Sequence, residues 1–92
     1  MGAPIIYSFT ASWCSPCRLQ RPELKRLKDR MRENVDMREI DVDESSELAA
    51  QYGIRVVPTL VIERGGKSRL VFEGITRAEV LEGELKKLLY PT

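Results

Sequence analysis

The chain has 92 residues, 42% of them hydrophobic and 32% charged, with 15 Lys and Arg set against 14 Asp and Glu. That size supports one small domain over 1–92, with a single core and a solvated, charge-laced exterior. A formal charge of +1, with no basic run alternating with aromatic residues, gives no case for nucleic-acid or anionic-membrane binding.

In chain order, Met1-Gly2-Ala3-Pro4 shows no basic and apolar leader ahead of a cleavage site. Ile6 stands where a myristoylation signal needs Ser or Thr. No apolar stretch reaches the roughly 18 residues of a membrane span, and the cytoplasm is the expected location. Ile5 to Thr10 is an apolar run of strand length, of the kind covered on both faces. Arg18 to about Asn34 predicts a helix, with Leu19, Leu24, Leu27 and Met31 as its apolar stripe and Lys25 paired with Asp29 on the wet side. Pro22 falls inside that helix and predicts a kink; the competing reading makes it a helix start after a separate loop. Val35 to Val42 reads as a second strand, joined to the first by a right-handed parallel crossover. Ser45 or Ser46 can cap a short helix that runs to Tyr52 and stops at Gly53. Val56 to Ile62 is a third strand interrupted by Pro58. Arg64-Gly65-Gly66-Lys67 is a tight hairpin leading to a fourth, Arg69 to Phe72. Thr76 with Glu79 forms a capping box for a last helix whose Leu81, Leu85, Leu88 and Leu89 face the core. Gly83 inside it costs about 1 kcal/mol relative to Ala and points to a close packing contact.

Between the first strand and the first helix lies Trp13-Cys14-Ser15-Pro16-Cys17, which holds both cysteines of the chain. Positions i and i+3 of a helix are neighbours, with Cβ atoms about 5–6 Å apart. A disulfide needs about 3.5–4.5 Å, so a slight tightening of the first turn lets the pair close and reopen. Cys14 would lie at the positive end of the helix, among N–H groups without intrahelical partners, where thiolate is favoured over thiol. Pro16 falls in the first turn, where its missing N–H removes no helical bond. A permanent crosslink is the weaker reading, because so short a loop removes little entropy from the unfolded chain. A zinc site needs four ligands; with two Cys and no His, a set would have to be shared between two chains. Two inert buried thiols would leave Pro16 and the helix-start position without a purpose. Thiol–disulfide exchange fits these residues best, and a pair that is reduced between turnovers suits a reducing compartment.

With these residues in view, the chain resembles the thioredoxin family. Phe9 to Arg18 is similar to the family's active-site signature, with Ser15 where Gly is usual, and Pro22 matches its helix-kinking proline. Asp43 to Thr59, above all Tyr52-Gly53-Ile54-Arg55-Val56-Val57-Pro58-Thr59, resembles the approach to its cis-proline loop, and Gly74 matches a glycine beside the site. The resemblance runs from about residue 5 to residue 89, without the family's usual additional first strand and helix. It implies an α/β fold of the minimal thioredoxin type, β-α-β-α-β-β-α, with a four-stranded mixed sheet and helices on both faces. It also implies Cys14 as nucleophile and Cys17 as the resolving thiol that closes a Cys14–Cys17 disulfide. Trp13, Ser15, Pro16, Val57, Pro58 and Gly74 would line the substrate groove. Pro58 is expected to be cis, which would place the Val57 backbone to pair with an extended substrate segment. Without the resemblance, a trans strand-edge proline would be the natural reading. The implied activity is reduction of protein disulfides by a monomeric electron carrier of cell redox balance, without cofactor or metal, recycled by a thioredoxin reductase.

The chain also departs from the family's pattern. A buried Asp six residues before the first cysteine, and its Lys partner on the next strand, are replaced by Ser8 and Glu39. One expectation is that Glu39 lies buried beneath the cysteines with a raised pKa and accepts the proton of the resolving thiol. The other is that it faces solvent on a strand edge. Val56 and Glu73 replace Gly and an apolar residue at the groove, which predicts a narrower range of partners. Ser15 in place of Gly should shift the redox poise. Two other functions compete. A glutaredoxin-like, glutathione-dependent reductase is opposed by Glu73-Gly74-Ile75-Thr76-Arg77, which lacks the Gly-Gly and Asp pattern of a glutathione site. A non-catalytic thioredoxin-like module that holds a peptide around Pro58 is opposed by the intact cysteine pair.

Overall fold

Ile5–Thr10 (β1) lies inside the sheet, flanked by Asp36–Asp41 (β2), to which it is parallel, and Thr59–Arg64 (β3), to which it is antiparallel. Lys67–Glu73 (β4) pairs antiparallel with β3 and completes the order β2-β1-β3-β4. The computed structural model describes residues 2–91, apart from the side chain of Arg69. Met1 and Thr92, the ends of the expected domain, lie outside that description. Three helices, Ser15–Met31 (α1), Ser46–Gln51 (α2) and Ala78–Leu89 (α3), complete the β-α-β-α-β-β-α succession. Side chains alternate across β1. Ile6 packs with Leu27, Met31, Leu60, Ile62, Leu81 and Leu85 on the side of α1 and α3, whereas Phe9 packs with Ile40, Ala49 and Val61 on the side of α2. Cover on both faces is why β1 reads as an unbroken apolar run.

Several boundaries move from their expected places, each for a local reason. β3 begins at Thr59 rather than Val56. Pro58 has no N–H for the ladder, and the Thr59 hydroxyl donates to Val56 O at 2.7 Å. β4 begins at Lys67 rather than Arg69, directly after a two-residue turn in which Gly65 and Gly66 adopt φ of 64° and 78°. That left-handed pair matches the twist of the flanking strands. α1 begins at Ser15 rather than Arg18 and continues through Pro22, so Pro22 is not a helix start. Its last expected residues, Arg32–Asn34, form a 3₁₀ turn instead. The inward stripe of α1 is Gln20, Leu24, Leu27 and Met31, spaced to keep one face turned to the core. Leu19 lies one position round the helix from that stripe and is 62% exposed.

The expected serine and threonine caps are not made. Ser45 precedes α2 and Arg77 precedes α3 without a side-chain capping bond. At α3 the acceptors come from α1: Ala78 N–H donates to Glu23 Oε1 at 2.9 Å, and Thr76 N–H to Gln20 Oε1 at 2.7 Å. Arg26 pairs with Glu79, and Arg30 Nε donates to Glu82 Oε1 at 2.9 Å. The Glu79 carboxyl is held below its ordinary 4.5 by its own backbone N–H and by Arg26, and that of Glu82 by Arg30. A carboxylate with a depressed folded-state pKa contributes its full stabilisation above the unfolded value and loses it as pH falls through the folded one. Stability is therefore expected to decline modestly on acidification below 4.5. The double substitution Glu79→Gln, Glu82→Gln should flatten that decline in a pH series of urea midpoints, as should about 1 M salt.

Gly83 does not mark a close contact. A Cβ built there meets nothing within 4 Å, so the residue carries only the entropic penalty of glycine in a helix. Gly83→Ala is expected to raise stability by about 0.5–1 kcal/mol, read as a higher urea midpoint at unchanged slope.

Candidate active site

The turn between β1 and α1 brings the two sulfurs together. Cys14 N–H donates to Ala11 O at 3.2 Å, folding the chain back as β1 ends and leaving Cys14 at the N-cap of α1. Its sulfur takes the capping role: Cys17 N–H donates to Cys14 Sγ at 3.1 Å. Pro16, between them, offers no N–H of its own. The two Cα atoms are 5.4 Å apart and the sulfurs are joined as a disulfide. On reduction, the Cys14 sulfur sits where an N–H and the helix dipole favour negative charge. Cys14 is 4% exposed and Cys17 2%, both packed with Ala11, Val42 and Val57. In the disulfide form the attacking sulfur is therefore not exposed, because the bond draws it toward Cys17 and that apolar set.

Around the sulfurs, the Val57–Pro58 peptide is cis, Val57 packs on the cysteine cluster, and Gly74 N–H donates to Pro58 O at 2.8 Å. Trp13 is exposed, and its Nε1–H donates to Asp43 Oδ2 at 2.9 Å. Asp43 sits in a turn held by Asp41 Oδ1, which accepts from Asp43 N–H and Glu44 N–H at 2.8 and 3.2 Å. Sequence reasoning missed Asp43. The Asp41-Val42-Asp43-Glu44 run carries an Asx-turn signal, but nothing local points to Trp13. Trp13, Val42, Ile54, Val56 and Val57, with Arg55 at the lip, line a cavity of about 140 Å³. Val42 and Val57 are the wall between that cavity and the disulfide. Arg55 reaches across to Glu73, with Nη2 to Oε1 at 3.0 Å and Nε to Oε2 at 3.3 Å.

Glu39 is not buried beneath the cysteines. It stands opposite Ser8 in the β1–β2 pair, but β2 is an outer strand. There the side chain is 56% exposed and pairs with Arg21 at 3.4 Å. A charged group at the sheet margin keeps its hydration, which burial would strip away. Among the described residues the buried polar side chains are Ser8, Thr10, Gln20, Thr59 and Thr76, none of which accepts a proton near neutral pH. Glu39→Gln is accordingly expected to leave the pH profile of the resolving step unchanged, as followed by the fluorescence of Trp13, the single tryptophan.

Sulfurs that bond each other across the first turn of a helix, at an end that favours thiolate, define a thiol–disulfide oxidoreductase. The family model for thioredoxin matches residues 2–87. The thioredoxin of Alicyclobacillus acidocaldarius is 34% identical over 86 residues, covering 94% of this chain and 82% of that one. The chain belongs to the thioredoxin family. It is similar to the mitochondrial thioredoxin of Mus musculus at 34% identity, covering 94% of this chain and 52% of that one, about half its length. Among solved structures, the germline-specific thioredoxin Deadhead of Drosophila melanogaster is 30% identical with a TM-score of 0.84, covering 94% of this chain and 81% of that one. Chloroplastic thioredoxin z is 31% identical with a TM-score of 0.84, covering 95% and 79%. These matches favour neither the glutathione-dependent reductase nor the non-catalytic module.

Proposed function

We propose that the chain reduces disulfides of protein substrates as a monomeric, single-domain electron carrier of the cytoplasm, and is itself returned to the dithiol by a thioredoxin reductase. The observation that carries this reading is the Cys17 N–H bond to Cys14 Sγ at the start of α1, because after reduction the same N–H is placed to stabilise the attacking sulfur as a thiolate. Cys14 thiolate attacks one sulfur of the substrate disulfide, forming a mixed disulfide and expelling the other substrate sulfur as a thiolate that takes up a proton. Cys17, deprotonated by solvent, then attacks Cys14 Sγ, and the second substrate thiol leaves. Two electrons pass to the substrate and the Cys14–Cys17 bond forms. Trp13, Ser15, Pro16, Val57, Pro58 and Gly74 are the surface against which the substrate segment lies, with the Val57 backbone available to an extended strand. Val56 and the Arg55–Glu73 pair support a narrower choice of partners than an open apolar rim would give.

The test is insulin reduction with two electron sources in parallel. Turnover is expected with a thioredoxin reductase and NADPH and to be at background with glutathione and its reductase. Equal or greater turnover with glutathione overturns the reading.

A further inference from the structure

Gln20 is the polar intruder in the apolar stripe of α1. It is 1% exposed, one turn beyond Cys17, and occupies a position where an aliphatic side chain would need no partners. Both ends of its amide instead bond one residue 56 positions away: Nε2 donates to Thr76 O at 2.9 Å and Oε1 accepts from Thr76 N–H at 2.7 Å. This is the two-bond exchange of a strand pair, made by a side chain. Thr76 belongs to the segment between β4 and α3, which has neither a ladder nor a helix to satisfy its backbone, and Thr76 is buried. Gln20 supplies both bonds that burial would otherwise leave unmade.

The other end of the same segment is fastened too. Gly74, at φ 86°, donates its N–H to Pro58 O at 2.8 Å. Between the two fastenings Ile75 stands 46% exposed. The cysteine helix, the Val57–Pro58 loop and the Gly74–Thr76 turn are therefore joined by directional bonds, with Gln20 as the link to the helix. Packing alone would let the turn slide; bonds of fixed length hold it in register with the disulfide.

We propose that Gln20 is a positioning residue for substrate docking, holding the Gly74–Thr76 turn so that Ile75 forms one wall of the surface a protein disulfide lies against. This rests on the reading of the site as a protein-disulfide reductase. The Gln20 amide bonds Thr76 and not a sulfur, so the chemical step itself is unaffected.

The test compares wild type with Gln20→Met, which keeps the length and flexibility of the side chain but no amide, and with Gln20→Leu as a second apolar variant. Two substrates are used: insulin, and dithiobis-nitrobenzoate, which is too small to span the turn. The expected result is a rise in KM for insulin of about tenfold with kcat unchanged. The rate with the small disulfide should stay within about twofold of wild type, and amide exchange at Thr76 and Ala78 should quicken. A parallel loss on both substrates, or an unchanged insulin KM despite faster exchange at Thr76, overturns the proposal. If wild type itself fails to reduce insulin, the functional reading falls first, before any variant is compared.

Discussion

Replacing Cys14 by serine is expected to lower turnover on a protein disulfide by about a thousandfold or more. A hydroxyl is not ionised at neutral pH and forms no bond to the substrate sulfur. The variant should still fold. Serine is among the preferred N-cap residues, and its Oγ can accept the Cys17 N–H that the sulfur accepts now. The lost crosslink joins residues only three apart, so its removal costs about 2 kcal/mol on chain-entropy grounds. Cys17→Ser separates the two steps: attack proceeds but release does not. A covalent adduct with the substrate should then accumulate, visible by mass spectrometry without reductant. Near-normal turnover in the Cys14 variant would show that some other group makes the attack.

Phe9→Ala is expected to cost about 3–5 kcal/mol, a large share of the 5–15 kcal/mol that typically holds a domain folded. Phe9 is fully buried in β1 and packs with Ile40, Ala49 and Val61. The Tyr52 ring lies against it, with centroids 5.4 Å apart. The Tyr52 hydroxyl donates to Glu63, so that ring is held at its far end and is hindered from collapsing into the vacated space. The cost should therefore fall toward the upper end, because cavity terms grow with the volume left unfilled. Urea unfolding followed by far-ultraviolet dichroism reads it directly; a loss below about 1 kcal/mol would mean that the neighbours refill the site.

The cysteine pair, the strand before it and the hairpin at Gly65–Gly66 were legible because each is written in contiguous residues whose spacing or backbone freedom has one good solution. Glu39 was not. Whether a carboxylate beside Ser8 meets the core or the solvent depends on where its strand falls in the sheet, and only the order β2-β1-β3-β4 places β2 at the margin within reach of Arg21. Leu19 was misread for a related reason. A pattern search counts apolar residues, and Gln20 holds the inward position only because Thr76, far along the chain, completes its hydrogen bonds. Trp13 with Asp43, separated by 30 residues, belongs to the same kind: pairings that exist once the backbone has closed and leave no trace beforehand.

Helix α3 begins without a side-chain cap from Arg77; its first amide, Ala78, donates to Glu23 on α1, and the approach to it is held by Gln20 through Thr76. A helix so arranged is weaker by itself, since the Ala78 amide at its entrance finds its partner only once the other helix has docked. Melting of either should carry the other with it, in one cooperative transition shared by every probe. The molecule consequently gives up the chance to keep half of its secondary structure under stress, and in exchange exposes few partly ordered forms to proteases or to its own neighbours.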